Sequence, residues 1–246
     1  MGSDPIERVG IPQENPSVMG KIKTKTWLSA GWIFLLYAAL FLSGFAREPF
    51  VLIDDFEAGL KTRWEKKIFK GETRYTGIKM EGSGYLKAES HASASGLVYK
   101  IKYDTREYPV LTWRWKVENI LRKGDERTRQ GDDYAARVYV VFPHFIPALT
   151  RSINYIWANK LPRGERCPNP YYSRAMMIAV ESGEEKVGTW VTEKRNVFED
   201  YRTCFGKDPS YAGAIAIMTD TDNTGESAVA YYDDIKLETI SPTAEP

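Results

Sequence analysis

From residue 50 onward, apolar side chains recur at every second position. In GLVYKIKY, Leu97, Tyr99, Ile101 and Tyr103 share one face while Lys100 and Lys102 share the other. In VLTWRWKV, Leu111, Trp113, Trp115 and Val117 oppose Thr112, Arg114 and Lys116. YAARVYVVF groups Val138, Val140 and Phe142, and AMMIAVES, AGAIAIMTD and SAVAYYDDIKLE carry the same β-branched and aromatic character. FVLIDDF, RYTGIKM and YLKAES supply three earlier candidates. Period two, with Gly, Pro, Asn and Asp between the runs, is the signature of half-buried strands. Many short strands without alternating long helices predict an all-β fold, a single antiparallel β-sandwich of jelly-roll type over residues 47–240.

Two stretches break the pattern. Residues 119–133 (NILRKGDERTRQGDD) are charged and turn-rich, which predicts a mobile loop. Residues 143–174 open on Pro143, and Ile153, Ile156 and Trp157 stand at near-helical spacing, predicting a short helix across one end of the sandwich. VFEDYRTCFG (197–206) predicts a second short helix that stops at Gly206. Residues 241–246 read as a frayed tail.

Residues 27–46 hold twenty positions without a charge, enough to span a bilayer as a helix. Lys21, Lys23 and Lys25 precede this run, and Gly44-Phe45-Ala46 offers small residues before Arg47. Residues 19–46 therefore read as a signal peptide, or as a signal anchor if uncleaved. Residues 1–18 are polar, carry three prolines and precede Met19; they read as a start-site artefact or a disordered prefix. Either way the sandwich is expected outside the cytoplasm, in the periplasm or secreted, with membrane contact only through an uncleaved helix. In an oxidising compartment Cys167 and Cys204 pair as one disulfide; the alternative is two buried free thiols.

Charge then narrows the partners. Residues 47–246 carry 30 basic and 30 acidic side chains, which gives no electrostatic footprint for nucleic acid. Two His and two Cys leave little material for zinc or haem centres.

Two acidic motifs lie at the ends of the domain, Asp55-Phe56-Glu57 and Asp233-Asp234-Ile235. Here the chain resembles the galactose-binding-like jelly rolls, which open on a DFE strand and close on a DDI strand. That resemblance implies a structural Ca²⁺ held by Asp55, Glu57 and Asp234; the alternative is solvated strand ends. Asp220-Thr221-Asp222-Asn223-Thr224-Gly225 begins like a calcium loop, but its twelfth position is Tyr231 rather than a bidentate Glu. An EF-hand is excluded, and a turn between strands explains the composition better.

Trp113-Arg114-Trp115, the segment GDDYAARVYVVF, Glu199-Asp200 and the closing TDTDNTGESAVAYYDDI together resemble a bacterial family catalogued as Domain of Unknown Function 3047. The resemblance implies an exported sandwich protein and brings no activity. Aromatic side chains near loops, Trp157, Trp190 and Tyr171, are candidates for stacking on sugar rings. Asp132, Asp133, Arg137, Asp220, Asp222 and Asn223 are candidates for bonding sugar hydroxyls. Non-catalytic binding of an envelope or extracellular glycan is the leading expectation. A hydrolase or lyase using two of Asp132, Asp133, Glu199, Asp200, Asp220 and Asp222, or a His91 or His144 base, is the second. A docking module for an envelope protein is the third.

Overall fold

The computed structural model describes residues 48–80 and 83–240. The expected leader at 19–46, the prefix 1–18 and the tail 241–246 lie outside the described residues. The described chain forms two stacked sheets. One contains β1 (Phe50–Asp54), β3 (Arg74–Met80), β4 (Ser83–His91), β6 (Val110–Val117), β11 (Val191–Asn196) and β13 (Ser227–Glu238). Its order is β11-β6-β13-β4-β3, with β1 also paired to β13. The other runs β2 (Trp64–Lys70), β5 (Ala94–Tyr103), β12 (Ala212–Asp220), β7 (Tyr134–Phe142), β8 (Arg151–Ala158), β10 (Ala175–Ser182) and β9 (Arg166–Pro168). Neighbours are antiparallel except β8 and β10, which pair in parallel, so the sandwich departs from the purely antiparallel expectation.

The alternation read from sequence puts the aromatic faces between the sheets. Trp113 and Trp115 of β6 are fully buried and meet Tyr155 and Trp157 of β8 from the other sheet, at ring separations of 5.2 and 5.8 Å. Val138, Val140, Ile215, Ile217, Ala230 and Tyr232 fill the same core.

The segment expected as a helix across the end is β8. Its true period is two: Ile153, Tyr155 and Trp157 point inward, and Asn154 and Ile156 outward. Ile156 imitated helical spacing because this part of the outer face is also covered. There it packs with Tyr134, Ala158, Leu161, Cys167, Met177 and Ala179 in a second apolar cluster. The second expected helix is present as α1 (Val197–Phe205). Asn196 caps its start by accepting from the Glu199 amide, and Gly206 closes it in the left-handed conformation, φ +67°.

Two further corrections concern a loop and the cysteines. Residues 119–133 are a tethered segment, with Leu121 and Glu126 fully buried. Glu126 accepts from the backbone amides of Asn159 (2.5 Å), Lys160 (3.3 Å) and Leu161 (2.8 Å). Asn159 reciprocates, accepting from Leu121 N and donating to Asp133 O, both at 2.8 Å. Asn159 lies so close to Gly124 that a Cβ there would collide with its amide. Cys167 and Cys204 are free: one belongs to the outer apolar cluster, the other packs from α1 against the main core. Burial pushes both thiols up to about 11, far from thiolate reactivity at neutral pH.

Glu193 of β11 is also buried, and burial, reinforced by the nearby Glu181 carboxylate, pushes its pKa from 4.5 up to about 7. The folded protein then holds this proton at pH values where the unfolded chain has lost it. Stability falls as pH rises from about 4.5 to about 7 and is flat with respect to this group above that. Glu193→Gln is expected to remove the decline and to exceed the parent protein at pH 8 by up to roughly 3 kcal/mol. Urea denaturation at pH 5 and pH 8 checks this; an equal pH slope in both proteins contradicts it.

Candidate functional site

The outer face of the seven-stranded sheet carries the side chains that alternate away from the core. On β7 these include Arg137 and Tyr139; on β8, Asn154; on β12, Ala216 and Met218. Register places Tyr139 beside both Asn154 and Ala216, and Arg137 beside Met218. Above them, the 131–133 turn, Asn169 with Tyr171, and the 220–223 turn form the walls of an open cleft of about 620 Å³.

Arg137 is the centre of this cleft. It is 6% exposed, and its guanidinium lies 4.6 Å from the ring centroid of Tyr134 and 5.5 Å from that of Tyr139. Its Nη2 forms a short ion pair with Asp220. Burial works against the cation, but Asp220, with Tyr139 and Asp132 nearby, outweighs it and holds Arg137 above the ordinary arginine pKa. Burial pulls Asp220 toward its neutral form and Arg137 pulls it back. Asp132 accepts from Tyr134 Oη (3.0 Å) and from Asn169 Nδ2 (2.8 Å), and burial raises its pKa despite Arg137.

Hydrogen bonding at the floor is incomplete. Arg137 Nε and Asn154 Oδ1 are buried without a partner, and Asn154 Nδ2 has only the Met177 sulfur at 3.1 Å. An unpaired donor and an unpaired acceptor on adjacent strands each cost about 1–3 kcal/mol. A hydroxyl group carries both of the missing functions, an acceptor and a donor.

Seven of the nine residues expected to bind ligand therefore meet in one place. Asp132, Arg137, Tyr171, Asp220, Asp222 and Asn223 line the cleft, and Asp133 braces it from behind. Asp133 accepts from the amides of Asn223 (3.2 Å) and Thr224 (2.6 Å), fixing the 220–225 turn to β7. Tyr171 is 54% exposed; it donates to Arg129 O (3.2 Å), and Asn223 Nδ2 donates to it (2.7 Å). Two aromatics do not join them. Trp157 is a core residue donating to Gly183 O at 3.1 Å. Trp190 is half-buried on the other sheet with Tyr85, Tyr231 and Arg114. Glu199, Asp200, His91 and His144 also lie away from the cleft; Asp200 is engaged by Arg195 and Tyr155.

Among the described residues, Asp133, Asp220 and Asp222 are the group of three whose carboxylate oxygens come within 4.8 Å of one another. These oxygens face the two backbone amides, Arg137, and Lys70 at 3.6 Å from Asp222, so the segment is a braced turn. Asp55, Glu57 and Asp234 form no such group. Lys61 approaches Asp55 at 3.6 Å and Arg114 approaches Asp234 at 3.3 Å. The opening acidic motif instead works through Asp54, which accepts from Phe56 N (3.0 Å), Lys61 Nζ (2.7 Å) and Trp64 Nε1 (2.9 Å).

Asn154, Asn169, Tyr139 and Met218 were missed in the sequence. For Tyr139 the signal was present: it shares the face of Arg137, opposite Val138 and Val140. Asn154 was hidden by the helical reading of β8.

A family model described as "protein of unknown function (DUF3047)" matches residues 62–236, from β2 to β13. The chain belongs to this family. That span takes in every cleft residue named above. No curated protein matches the chain. Among solved structures, the family 11 carbohydrate-binding module of the cellulosomal cellulase Lic26A-Cel5E of Clostridium thermocellum is similar at 12% identity. It covers 80% of this chain and 98% of its own, with a TM-score of 0.44. The family 30 module of Cel9D-Cel44B from the same organism gives 11% identity, 78% and 98% coverage, and 0.47. A non-crystalline-cellulose-specific module, CBM28, gives 18%, 76% and 93%, and 0.40. All three scores lie below 0.5, and the chemistry of the cleft stands on its own residues.

Proposed function

We propose that this DUF3047 domain binds a neutral glycan in the cleft, outside the cytoplasm, without cleaving it. The observation that carries this reading is the floor of the cleft, where Arg137 Nε and Asn154 Oδ1 lack partners. Sugar hydroxyls both donate and accept, so a sugar supplies the acceptor that Arg137 Nε lacks and the donor that Asn154 Oδ1 lacks. The rings of Tyr139, Tyr171 and Phe69 around the same cleft offer faces for sugar C–H groups. Asp132, Asp220 and Asp222 outnumber Arg137 and Lys70 here, which disfavours a strongly anionic ligand. Export is supported by the uncharged run at 27–46 and its lysine-rich approach.

Asp132, with its raised pKa, favours a hydrolase as the second reading. Such an enzyme also needs a second free carboxylate as base or nucleophile. Asp133 is bound by two amides, Asp220 by Arg137 and Tyr134 N, and Asp222 faces Lys70 at 3.6 Å, which supports binding over hydrolysis.

The test is retention on a panel of bacterial-envelope and plant polysaccharides, with released sugars scored in the same samples. Retention without release is expected. Asn154→Leu, which keeps the branching and heavy-atom count of the side chain, should cut retention at least tenfold while leaving the melting temperature unchanged or slightly raised, because it deletes an unpaired acceptor. Release of reducing ends contradicts the non-catalytic reading.

A further inference from the structure

A second cavity, of about 540 Å³, adjoins the polar cleft on the same sheet face and shares Phe69, Tyr139 and Met218 with it. Its character is opposite. The floor is Gly96 and Val98 of β5 with Ala216 of β12, and Val141 continues it along β7. Small residues make the depression: on the central strands, Gly96 and Ala216 stand where larger side chains would fill it. Phe69 of β2 forms one lip and is 63% exposed. Three lysines stand at the rim: Lys66 pairs with Glu72 at 3.0 Å, Lys100 pairs with Glu65 at 2.7 Å, and Lys67 is the third.

From this continuity we infer that the ligand is an amphiphile, a glycan bearing an apolar chain, with its sugar in the polar cleft and its chain lying over Gly96, Val98 and Ala216. The inference rests on the glycan reading of the cleft. A longer bare oligosaccharide is the rival occupant. It fits this groove poorly, because hydroxyls laid on a floor of Gly, Val and Ala exchange water for no partner. An alkyl or acyl chain loses nothing there, and covers Phe69, an aromatic side chain otherwise left in water. Tyr139 is the junction, since it lines both cavities.

The experiment uses alkyl glucosides and alkyl maltosides of increasing chain length, each below its micelle concentration, against free glucose and maltose by calorimetry. Affinity is expected to rise with chain length by up to about fourfold per methylene until the groove is filled. Val98→Phe, which fills the floor at a residue that lines the groove and not the cleft, should abolish this chain-length dependence while leaving retention of the parent's polysaccharide within twofold. Asn154→Leu should weaken all members equally and keep the slope. Affinity independent of chain length, or no binding by any alkyl glycoside, overturns the inference. If polysaccharide is retained in those cases, the cleft reading survives without it. A chain-length slope that persists in Val98→Phe places the chain elsewhere and also overturns it. Affinities left unmoved by Asn154→Leu, with no polysaccharide retained, contradict the cleft reading and with it the placement of the sugar.

Discussion

Replacing Arg137 with Met is expected to destabilise the domain by about 3–5 kcal/mol, because it strands the Asp220 carboxylate in a site where that residue is 2% exposed. The ion pair itself contributes less than this figure suggests. Both charges leave water on folding, and the desolvation cost offsets most of their attraction. Adding Asp220→Asn to Arg137→Met should therefore recover most of the lost stability, since an amide still accepts from Tyr134 N and carries no charge. Glycan retention should not recover with it. The double variant thus separates the two roles of the pair: folding tolerates a neutral replacement, and binding requires the guanidinium held between Tyr134 and Tyr139. Urea denaturation and the polysaccharide panel on the single and double variants check both halves. A double variant as unstable as Arg137→Met would assign the pair a positive contribution to folding.

The second large effect lies away from the cleft. Glu126→Ala is expected to cost about 4 kcal/mol or more, since it removes the acceptor for three backbone amides in one turn. Each orphaned buried amide costs about 1–3 kcal/mol. The same change releases the 119–133 segment that ends in Asp132 and Asp133, so retention should fall as well. Glu126→Gln keeps one acceptor oxygen and should lose roughly half as much stability. Chemical denaturation of both variants gives the ranking, and a Glu126→Ala loss below 1 kcal/mol contradicts the tether.

Nine strands and α1 were legible because their signals are local: alternation for the strands, a closing Gly for the helix. β2, β9 and β11 were not, because WEKKIFK, RCP and VTEKRN lie at or near sheet edges where little apolar surface is needed. β8 was misread for the opposite reason, since its second covered face broke the alternation. The cleft was legible in composition but not in geometry. Asp132, Arg137 and Asp220 stand out as polar residues beside apolar runs, and only the register of β7 with β12 brings them together. Trp157 and Trp190 misled because aromatic type does not report which face a strand presents. Cys167 and Cys204 misled because even count and compartment say nothing of distance. Glu126 sat in a stretch so charged that its burial had no sequence signature.

The account turns on whether a ligand meets Arg137, and the proton-detected ¹H–¹⁵N signal of its Nε group reads this directly. Titration with a polysaccharide fragment retained by the domain is predicted to shift that signal and slow its exchange with water, as the lone donor gains an acceptor. A fragment that binds while the Arg137 Nε signal stays in place would contradict the cleft as the binding site.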